Sequence, residues 1–247
     1  MKNPPILIKK LIEADSISNQ QLIENKGRIY TFVNPVSYLT AMDYRYKFIE
    51  LDGILADGSL LVLAMRLLYG KRIKRRSFDM TSLAPMFFEY ANENRKTVSI
   101  IGSKQDELEK AIAILTERYP NVQWGMCRNG YFEEGEMEEY AKILADSQPD
   151  YIIAGMGAVR QETFLLECKK HGFQGIGFTC GGFIHQLARD KEIVYYPNWI
   201  NKLNLRFVYR FCKEKHTRKR YLVAAFFFPI RFVYEKNVEV IRQILTQ

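Results

Sequence analysis

The sequence predicts an α/β fold, in which a mostly parallel sheet has helices on both faces and a basic helical C-terminal appendage follows. First, short apolar runs alternate with amphipathic segments from Thr97 to Thr179, which is typical of parallel βα units. Second, glycines follow several of these runs, as expected where strands turn into helices. Third, positive charge is concentrated near the C-terminus. With 247 residues and a hydrophobic share of 47%, the chain is long enough for one large domain, or a domain and an appendage, around a real core.

The elements are predicted in order along the chain. Residues 1–27 are a polar, helical lead-in whose short apolar run, broken by Lys9 and Lys10, is neither a signal peptide nor a membrane span. Apolar runs predict strands at 28–33, 48–55, 97–101, 121–126, 151–155 and 174–179. Helices are predicted after residue 59, at 79–94, 104–118, 133–147 and 160–171, and in a short segment that ends at Arg189. Right-handed crossovers leave few topologies, and the carboxyl edge of the sheet is the expected ligand cleft.

The turn after the strand at 151–155 is the first candidate for ligand binding. Gly155 and Gly157 lead into a helix that opens with Arg160, Gln161 and Glu162. Backbone N–H groups and the positive end of a helix would then face the carboxyl edge, where α/β proteins bind phosphorylated ligands. An ordinary tight βα turn explains the glycines equally well, because one glycine pair is weak evidence.

Charged side chains near the second strand have two interpretations each. Asp57 follows the run at 48–55 and could act chemically, or it could cap the next helix. The basic cluster from Lys71 to Arg76 could clamp a phosphate, although a solvated loop is the simpler reading. Four cysteines without a CxxC pair indicate reduced thiols, and three scattered histidines argue against a metal cluster.

The charge of the C-terminal segment is informative because of its position. Ten Lys/Arg and two acids lie between Lys202 and Lys236, so this segment alone carries the net +8 of the whole chain. A basic stripe lies beside an apolar stripe over residues 202–213, and the apolar run Leu222–Ile230 is too short to cross a bilayer but can lie in its interface. A helical hairpin packed on the domain is the alternative. Nucleic-acid binding is disfavoured, because the apolar stripe is too continuous for a phosphate-tracking surface.

Several motifs occur together in a consistent order between Thr31 and Tyr221. They are FVNP at 32–35, ADG at 56–58, SIIGSK at 99–104, YPN at 119–121, NGYF at 129–132, GMGAVRQE at 155–162, GG at 181–182, YPNW at 196–199, FVYR at 207–210 and RKRY at 218–221. In this order and spacing they resemble the WecG/TagA/CpsF family of bacterial glycosyltransferases, which is glycosyltransferase family 26.

The resemblance implies a Rossmann-like α/β domain at residues 1–195 and a basic amphipathic, membrane-associating appendage at 196–247. It implies an inverting, metal-independent enzyme without a cofactor. Such an enzyme moves a sugar from a UDP-sugar to a polyprenyl-diphosphate-linked saccharide in surface polysaccharide synthesis. The expected location is cytoplasmic and peripheral, on the inner face of the bacterial plasma membrane, where the appendage meets an anionic surface. A homo-oligomer is possible, and no nucleic-acid partner is expected.

The resemblance also assigns roles to single residues. Asp57 matches the general base that takes the proton of the acceptor hydroxyl, Asn34 lies beside it, and Arg210 stabilises the leaving group. The donor-binding residues that it implies are Gly102, Gly155, Gly157, Gln161, Glu162, Gly182 and His185. Those implied for binding of diphosphate or lipid are Lys74, Arg75, Arg206, Arg218 and Arg220.

Some positions depart from the family pattern. Phe32 stands where a threonine is usual, Val159 where a proline is usual, His185 where an Asp often follows the GG motif, and Arg206 where an acidic residue is expected. The departures at Phe32 and His185 leave the donor sugar open. Together, the four departures keep open a divergent subgroup or an inactive homologue, and the alternative function is that of a catalytically inactive nucleotide-binding α/β scaffold protein.

Overall fold

The computed structural model describes residues 4–189 and 218–245. The strands that it describes form one six-stranded sheet with the order β2-β1-β6-β5-β3-β4, and every pairing is parallel. They are β1 Arg28–Val33, β2 Gly53–Ala56, β3 Thr97–Gly102, β4 Gln123–Trp124, β5 Tyr151–Gly155 and β6 Ile176–Thr179. The predicted fold class is therefore confirmed.

Helices cover both faces of this sheet. They are α1 Ile6–Asp15, α2 Asn19–Glu24, α3 Pro35–Asp43, α4 Arg45–Phe48, α5 Ser59–Tyr69, α6 Leu83–Glu93, α7 Gln105–Arg118, α8 Glu136–Asp146, α9 Arg160–Lys170, α10 Phe183–Arg189 and α11 Arg218–Leu245. Apolar side chains of α1, α3, α5, α8, α9 and α11 form the core on one face. Those of α2, α6, α7 and α10 form the core on the other face.

The second strand is shorter than the apolar run predicts. Phe48 ends α4, and β2 begins only at Gly53. The turn between them is closed by Asp52, whose carboxylate accepts from the backbone N–H of Ile29 at 2.8 Å and from Lys169 at 2.6 Å. An apolar run that contains both a buried helix end and a strand cannot be divided by hydrophobicity alone, which explains the error.

Helix α11 packs against α3 through one stripe of its surface. Phe228 and Phe232 are buried around Tyr38, with ring centroids 5.9 and 5.3 Å away. The carboxylate of Glu235 accepts from the Tyr38 hydroxyl at 3.0 Å and from Arg45 at 2.9 Å. Burial, and then the Glu235 charge, raise the pKa of Tyr38 well above its usual value.

Only some of the predictions for the C-terminal segment can be compared with the structure. The run Leu222–Ile230 lies within α11, where Ala224 and Phe228 face the domain and most of the other side chains are exposed. The boundary predicted at residues 195 and 196 and the basic stripe at 202–213 lie outside the described residues, so both stay predictions. Within the described ranges, no helix is both long and apolar enough to cross a membrane.

Candidate active site

Two polar residues meet where β1 and β2 end. Val33 pairs with Ala56, so Asn34 and Asp57 each follow a strand end at the same edge of the sheet. The backbone N–H of Asp57 donates to Val33 O at 2.8 Å. Gly58 lets the turn after Asp57 pack closely against Asn34 and Pro35, because a Cβ added at Gly58 would lie 3.3 Å from Pro35 Cδ and 3.6 Å from Asn34 Cβ. The parallel pairing therefore brings together the two residues that the family resemblance assigns to the catalytic centre.

Asn34 is oriented by the helix that it opens. Its Oδ1 accepts from the backbone N–H groups of Val36 at 2.9 Å and Ser37 at 3.1 Å, and Ser37 Oγ accepts from Asn34 N. This capping box fixes the side chain in one orientation. Because the cap uses the oxygen, the amide NH₂ is the group that can serve a ligand.

Asp57 lies beside Arg75, the member of the basic cluster that reaches the sheet edge. Arg75 Nη2 is 3.4 Å from Asp57 Oδ1, 2.9 Å from Ser77 Oγ and 3.7 Å from Asp79 Oδ2. The N-cap of α5 is Gly58, so Asp57 is not the N-cap residue of that helix. The Asp57 side chain is 29% exposed and Arg75 is 20% exposed, which leaves the pair within reach of a ligand.

The rest of the basic cluster points elsewhere. Arg76 is buried and donates to Ala14 O at 2.8 Å and to Ile17 O at 2.7 Å, and this burial lowers its pKa. Its role is to fasten the end of α1 to the domain. Lys74 has an exposed side chain, and its backbone N–H donates to Asp15. The cluster is therefore neither a uniform phosphate clamp nor a uniform solvated loop.

Three predicted glycines lie at the carboxyl ends of β3 and β5, for different physical reasons: Gly102 ends β3, Gly155 ends β5, and Gly157 follows β5. A Cβ on Gly102 would lie 2.4 Å from Gly155 O, and a Cβ on Gly155 would lie 2.7 Å from Cys180 Sγ. These two glycines let neighbouring strand ends approach each other. Gly157 has φ 82° and open space around its Cα, so it is the glycine whose backbone a ligand could approach. Gly182 is also exposed, in the turn between β6 and α10.

Glu162 is buried beneath this edge, and both of its carboxylate oxygens accept hydrogen bonds. Its side chain accepts from Thr31 Oγ1 at 2.7 Å, from Gln161 Nε2 at 3.0 Å and from the backbone N–H of Val159 at 2.6 Å. Gln161 Oε1 in turn accepts from the N–H of Gly181 at 3.3 Å. Burial raises the pKa of Glu162 and outweighs these hydrogen bonds, which lower it. The network therefore connects β1, through Thr31, to the turn after β5, through Val159, and to the turn after β6, through Gly181.

The turn held by Glu162 is strained. Val159 has φ 74°, which is a genuine outlier for a β-branched residue and a value that proline cannot adopt. The hydrogen bond from its N–H to Glu162 is one of the contacts that maintain this conformation.

His185 lies on α10 and pairs with α7. Its Nδ1 is 2.6 Å from Glu107 Oε1, and Arg189 Nη1 is 3.5 Å from its Nε2. Burial alone would raise the pKa of Glu107, but hydrogen bonds from Ser103 and His185 bring it below its usual value. A half-exposed His185 is therefore tied to the helix that follows β3.

Other predicted residues are only partly placed. Arg218 begins α11, and Arg220 lies in its first turn. Arg206 and Arg210 lie outside the described residues.

Sequence reasoning missed two buried threonines. Thr31 Oγ1 and Thr179 Oγ1 are 2.9 Å apart on the adjacent strands β1 and β6, and Thr179 Oγ1 also accepts from Phe32 N. The available signal was a hydroxyl within each apolar run.

Among the described residues, one group of side chains has the composition of a metal site: Glu138, Glu167 and His171. Lys170 Nζ already lies 3.6 Å from Glu138 and 2.9 Å from Glu167. The group adjoins the end of α9, roughly 15 Å along the helix from the sheet edge, so it is separate from the candidate active site.

Comparison with known proteins gives a consistent result. The family model described as "Glycosyl transferase WecG/TagA/CpsF family" matches residues 10–240. A Shigella boydii protein named UDP-Gal:alpha-D-GlcNAc-diphosphoundecaprenol beta-1,4-galactosyltransferase is 35% identical over 95% of this chain and 98% of its own length. Two proteins named N-acetylglucosaminyldiphosphoundecaprenol N-acetyl-beta-D-mannosaminyltransferase are also similar. The Bacillus subtilis protein is 24% identical over 84% of this chain and 80% of its own length, and one from Staphylococcus aureus is 26% identical over 81% of both.

Proposed function

The chain belongs to the WecG/TagA/CpsF family of glycosyltransferases, and we propose that it transfers a sugar from a UDP-sugar, with inversion, to a saccharide carried on polyprenyl diphosphate. The product would enter a surface polysaccharide. The observation that carries this proposal is the placement of Asp57 next to Asn34 at the carboxyl edge of the sheet, with Arg75 on one carboxylate oxygen.

Galactose is the first candidate for the transferred sugar. The S. boydii relative is named for UDP-Gal and matches nearly the whole chain, whereas the relatives named for N-acetylmannosamine are less similar and match less of it. The corresponding acceptor is a GlcNAc unit on a polyprenyl diphosphate. UDP-galactose carries an α-linked sugar, so a β product would require inversion at the anomeric carbon.

Asp57 would act as the general base. As the acceptor hydroxyl oxygen forms a bond to the anomeric carbon, the Asp57 carboxylate takes its proton. The bond between that carbon and the UDP oxygen breaks, and UDP leaves with the electron pair. A positioned base contributes about 10²–10⁴-fold to such a step. Arg75 fixes the direction of the carboxylate, and the Asn34 amide can donate to a substrate hydroxyl.

The UDP diphosphate would lie over Gly157 and the first turn of α9. Exposed backbone at Gly157 and the N-terminal end of an eleven-residue helix favour an anion there. The resemblance adds Arg206, Arg210, Arg218 and Arg220 as cations for the leaving group or the lipid diphosphate. We propose on this basis that the enzyme needs no metal ion, because arginines can offset the developing charge.

The second face of α11 supports association with a membrane. This face carries a continuous set of exposed apolar residues: Leu222, Val223, Phe226, Phe227, Ile230, Val233 and Tyr234. The opposite stripe is buried on the domain through Phe228, Phe232 and Glu235. A helix of this kind can lie at a bilayer surface, which is where a polyprenyl-linked acceptor is found. The proposed location is therefore the cytoplasmic face of the plasma membrane.

The test is release of UDP from a panel of UDP-sugars, with and without a GlcNAc-diphosphate-polyprenol acceptor. We expect acceptor-dependent release from UDP-galactose, retained when EDTA is present. Binding of UDP without release from any donor would favour the inactive scaffold. No binding of UDP would contradict the proposed donor cleft.

A further inference from the structure

Helix α5 exposes a stripe of leucines that the proposed reaction does not use. Leu60, Leu63 and Leu67 are 39%, 48% and 72% exposed, and their spacing places them on one side of the helix. The other side is anchored in the core by Leu61 and Met65, both fully buried. The exposed leucines therefore belong to a well-packed helix.

The segment that contains this stripe is basic and has no acids. Between Gly58 and Asp79 the sequence has six Lys/Arg and no Asp or Glu. Arg66, Lys71 and Arg72 are exposed at the end of α5 and in the loop that follows. Ile73 is buried and fastens that loop to the domain just after α5 ends, so its neighbouring cations follow closely on the helix that carries the leucines. An apolar stripe with a cationic rim is complementary to an anionic phospholipid surface.

The stripe also adjoins the two features that the proposed function needs. Lys236 of α11 donates to Leu68 O at 2.6 Å, and the rings of Tyr69 and Phe232 are 5.6 Å apart, so the C-terminal turn of α5 packs on α11. At its other end, α5 begins two residues after Asp57. A bilayer that contacts α5 would therefore meet the protein close to the proposed catalytic base.

We propose that the exposed side of α5, with Arg66, Lys71 and Arg72, is a second membrane-contact surface that binds anionic phospholipid bilayers together with α11. This inference rests on the proposed function in one respect, that the acceptor is lipid-linked. The leucines enter the interface, the cations meet the headgroups, and the contact holds Asp57 near the level at which the acceptor diphosphate emerges.

The experiment measures binding of the full chain to vesicles of phosphatidylcholine and phosphatidylglycerol in equal parts. The double variant Leu63→Gln/Leu67→Gln should bind at least about tenfold more weakly. Ile143→Gln, at an exposed apolar position of α8, is the matched control and should bind like the wild type. The variant Lys71→Gln/Arg72→Gln should also bind about tenfold more weakly, whereas Lys110→Gln/Lys142→Gln, with the same change of charge at exposed positions, should not.

Unchanged vesicle binding in both α5 variants would overturn the proposal. The proposal would also be overturned if Leu63→Gln/Leu67→Gln bound vesicles like the wild type but had a lower molecular mass by light scattering. The stripe would then be a contact between two copies of the chain. Transfer to a water-soluble short-chain acceptor should be the same in the wild type, in Leu63→Gln/Leu67→Gln and in the control variants. If the wild type transfers no sugar while the α5 variants lose vesicle binding, the proposed function fails and the membrane surface stands.

Discussion

Two acidic residues at the same edge of the sheet, Asp57 and Glu162, have opposite environments. The Asp57 side chain is 29% exposed and lies 3.4 Å from a partly exposed arginine. Glu162 is 1% exposed and accepts from a hydroxyl, an amide and a backbone N–H. The family resemblance assigns both to the active site, but only Asp57 can reach a substrate without a change in the structure.

The difference indicates a division of labour. A partly exposed carboxylate such as Asp57 can be reached by a substrate, whereas the buried Glu162 carboxylate would first have to leave its hydrogen-bonded position. Glu162 holds the strained Val159 turn and, through Gln161, the turn at Gly181, so we infer a supporting role for it beneath the proposed donor cleft. The following predictions test this comparison, from the largest expected effect to the smallest.

Asp57→Asn should lower the rate of sugar transfer by about 10²–10⁴-fold, because the amide cannot accept the proton. The measurement is acceptor-dependent UDP release at saturating substrates. Asp146→Asn, at the exposed end of α8, is the matched control and should retain full activity. Transfer at the wild-type rate by Asp57→Asn would show that another group is the base.

Glu162→Ala should lower the free energy of unfolding by about 2–4 kcal/mol, since it leaves buried donors unpaired and opens a cavity. Urea unfolding measures the change. The exposed Glu139→Ala on α8 should change stability by less than about 0.5 kcal/mol. Equal stability of the two variants would mean that the network does not support the edge.

Gly102→Ala should destabilise the fold by about 1–3 kcal/mol, because its Cβ would overlap a backbone oxygen of β5. Gly157→Ala has open space and should cost only about 1–2 kcal/mol, from its positive φ. Donor affinity should show the reverse order, with Gly157→Ala weakening UDP binding more. Weaker UDP binding in Gly102→Ala than in Gly157→Ala would contradict the different roles given to the two glycines.

The smallest effect is a pH dependence of stability. Because burial raises the pKa of Glu162 above its ordinary 4.5, the folded protein holds this proton more tightly than the unfolded chain does. The contribution of Glu162 to stability is therefore full below that ordinary value and is lost as the pH rises through the folded pKa. The free energy of unfolding should be measured for the wild type and for Glu162→Gln across this pH range. As the pH increases, the wild type should lose stability relative to the Gln variant. A difference independent of pH would mean that the carboxyl pKa is unchanged by folding.

Much of this comparison could be predicted from sequence. The strand Arg28–Val33 is predicted with its observed ends, because it depends on a local apolar run and the Asn-Pro that ends it. The proximity of Asn34 and Asp57 is expected only from the family resemblance, and in the structure it results from the parallel pairing of β1 with β2.

The support beneath the edge could not be predicted in the same way. Thr31 meets Thr179 only because β6 inserts between β1 and β5, which is a property of the crossovers. A glutamate in the first turn of a helix is commonly an exposed partner of the helix end, so the burial of Glu162 has no local signal. Arg75 and Arg76 are adjacent in sequence, yet one faces the candidate site and the other the end of α1.

The most direct test is to measure transfer and stability together in Asp57→Asn and Glu162→Ala, at a temperature where both are folded. We expect Asp57→Asn to lose transfer while its unfolding free energy stays within about 1 kcal/mol of the wild type, and to keep its affinity for UDP. We expect Glu162→Ala to lose stability while transfer per folded molecule falls by no more than about tenfold. Full stability without transfer in Glu162→Ala, or transfer that persists in Asp57→Asn, would contradict the division of labour between the two carboxylates.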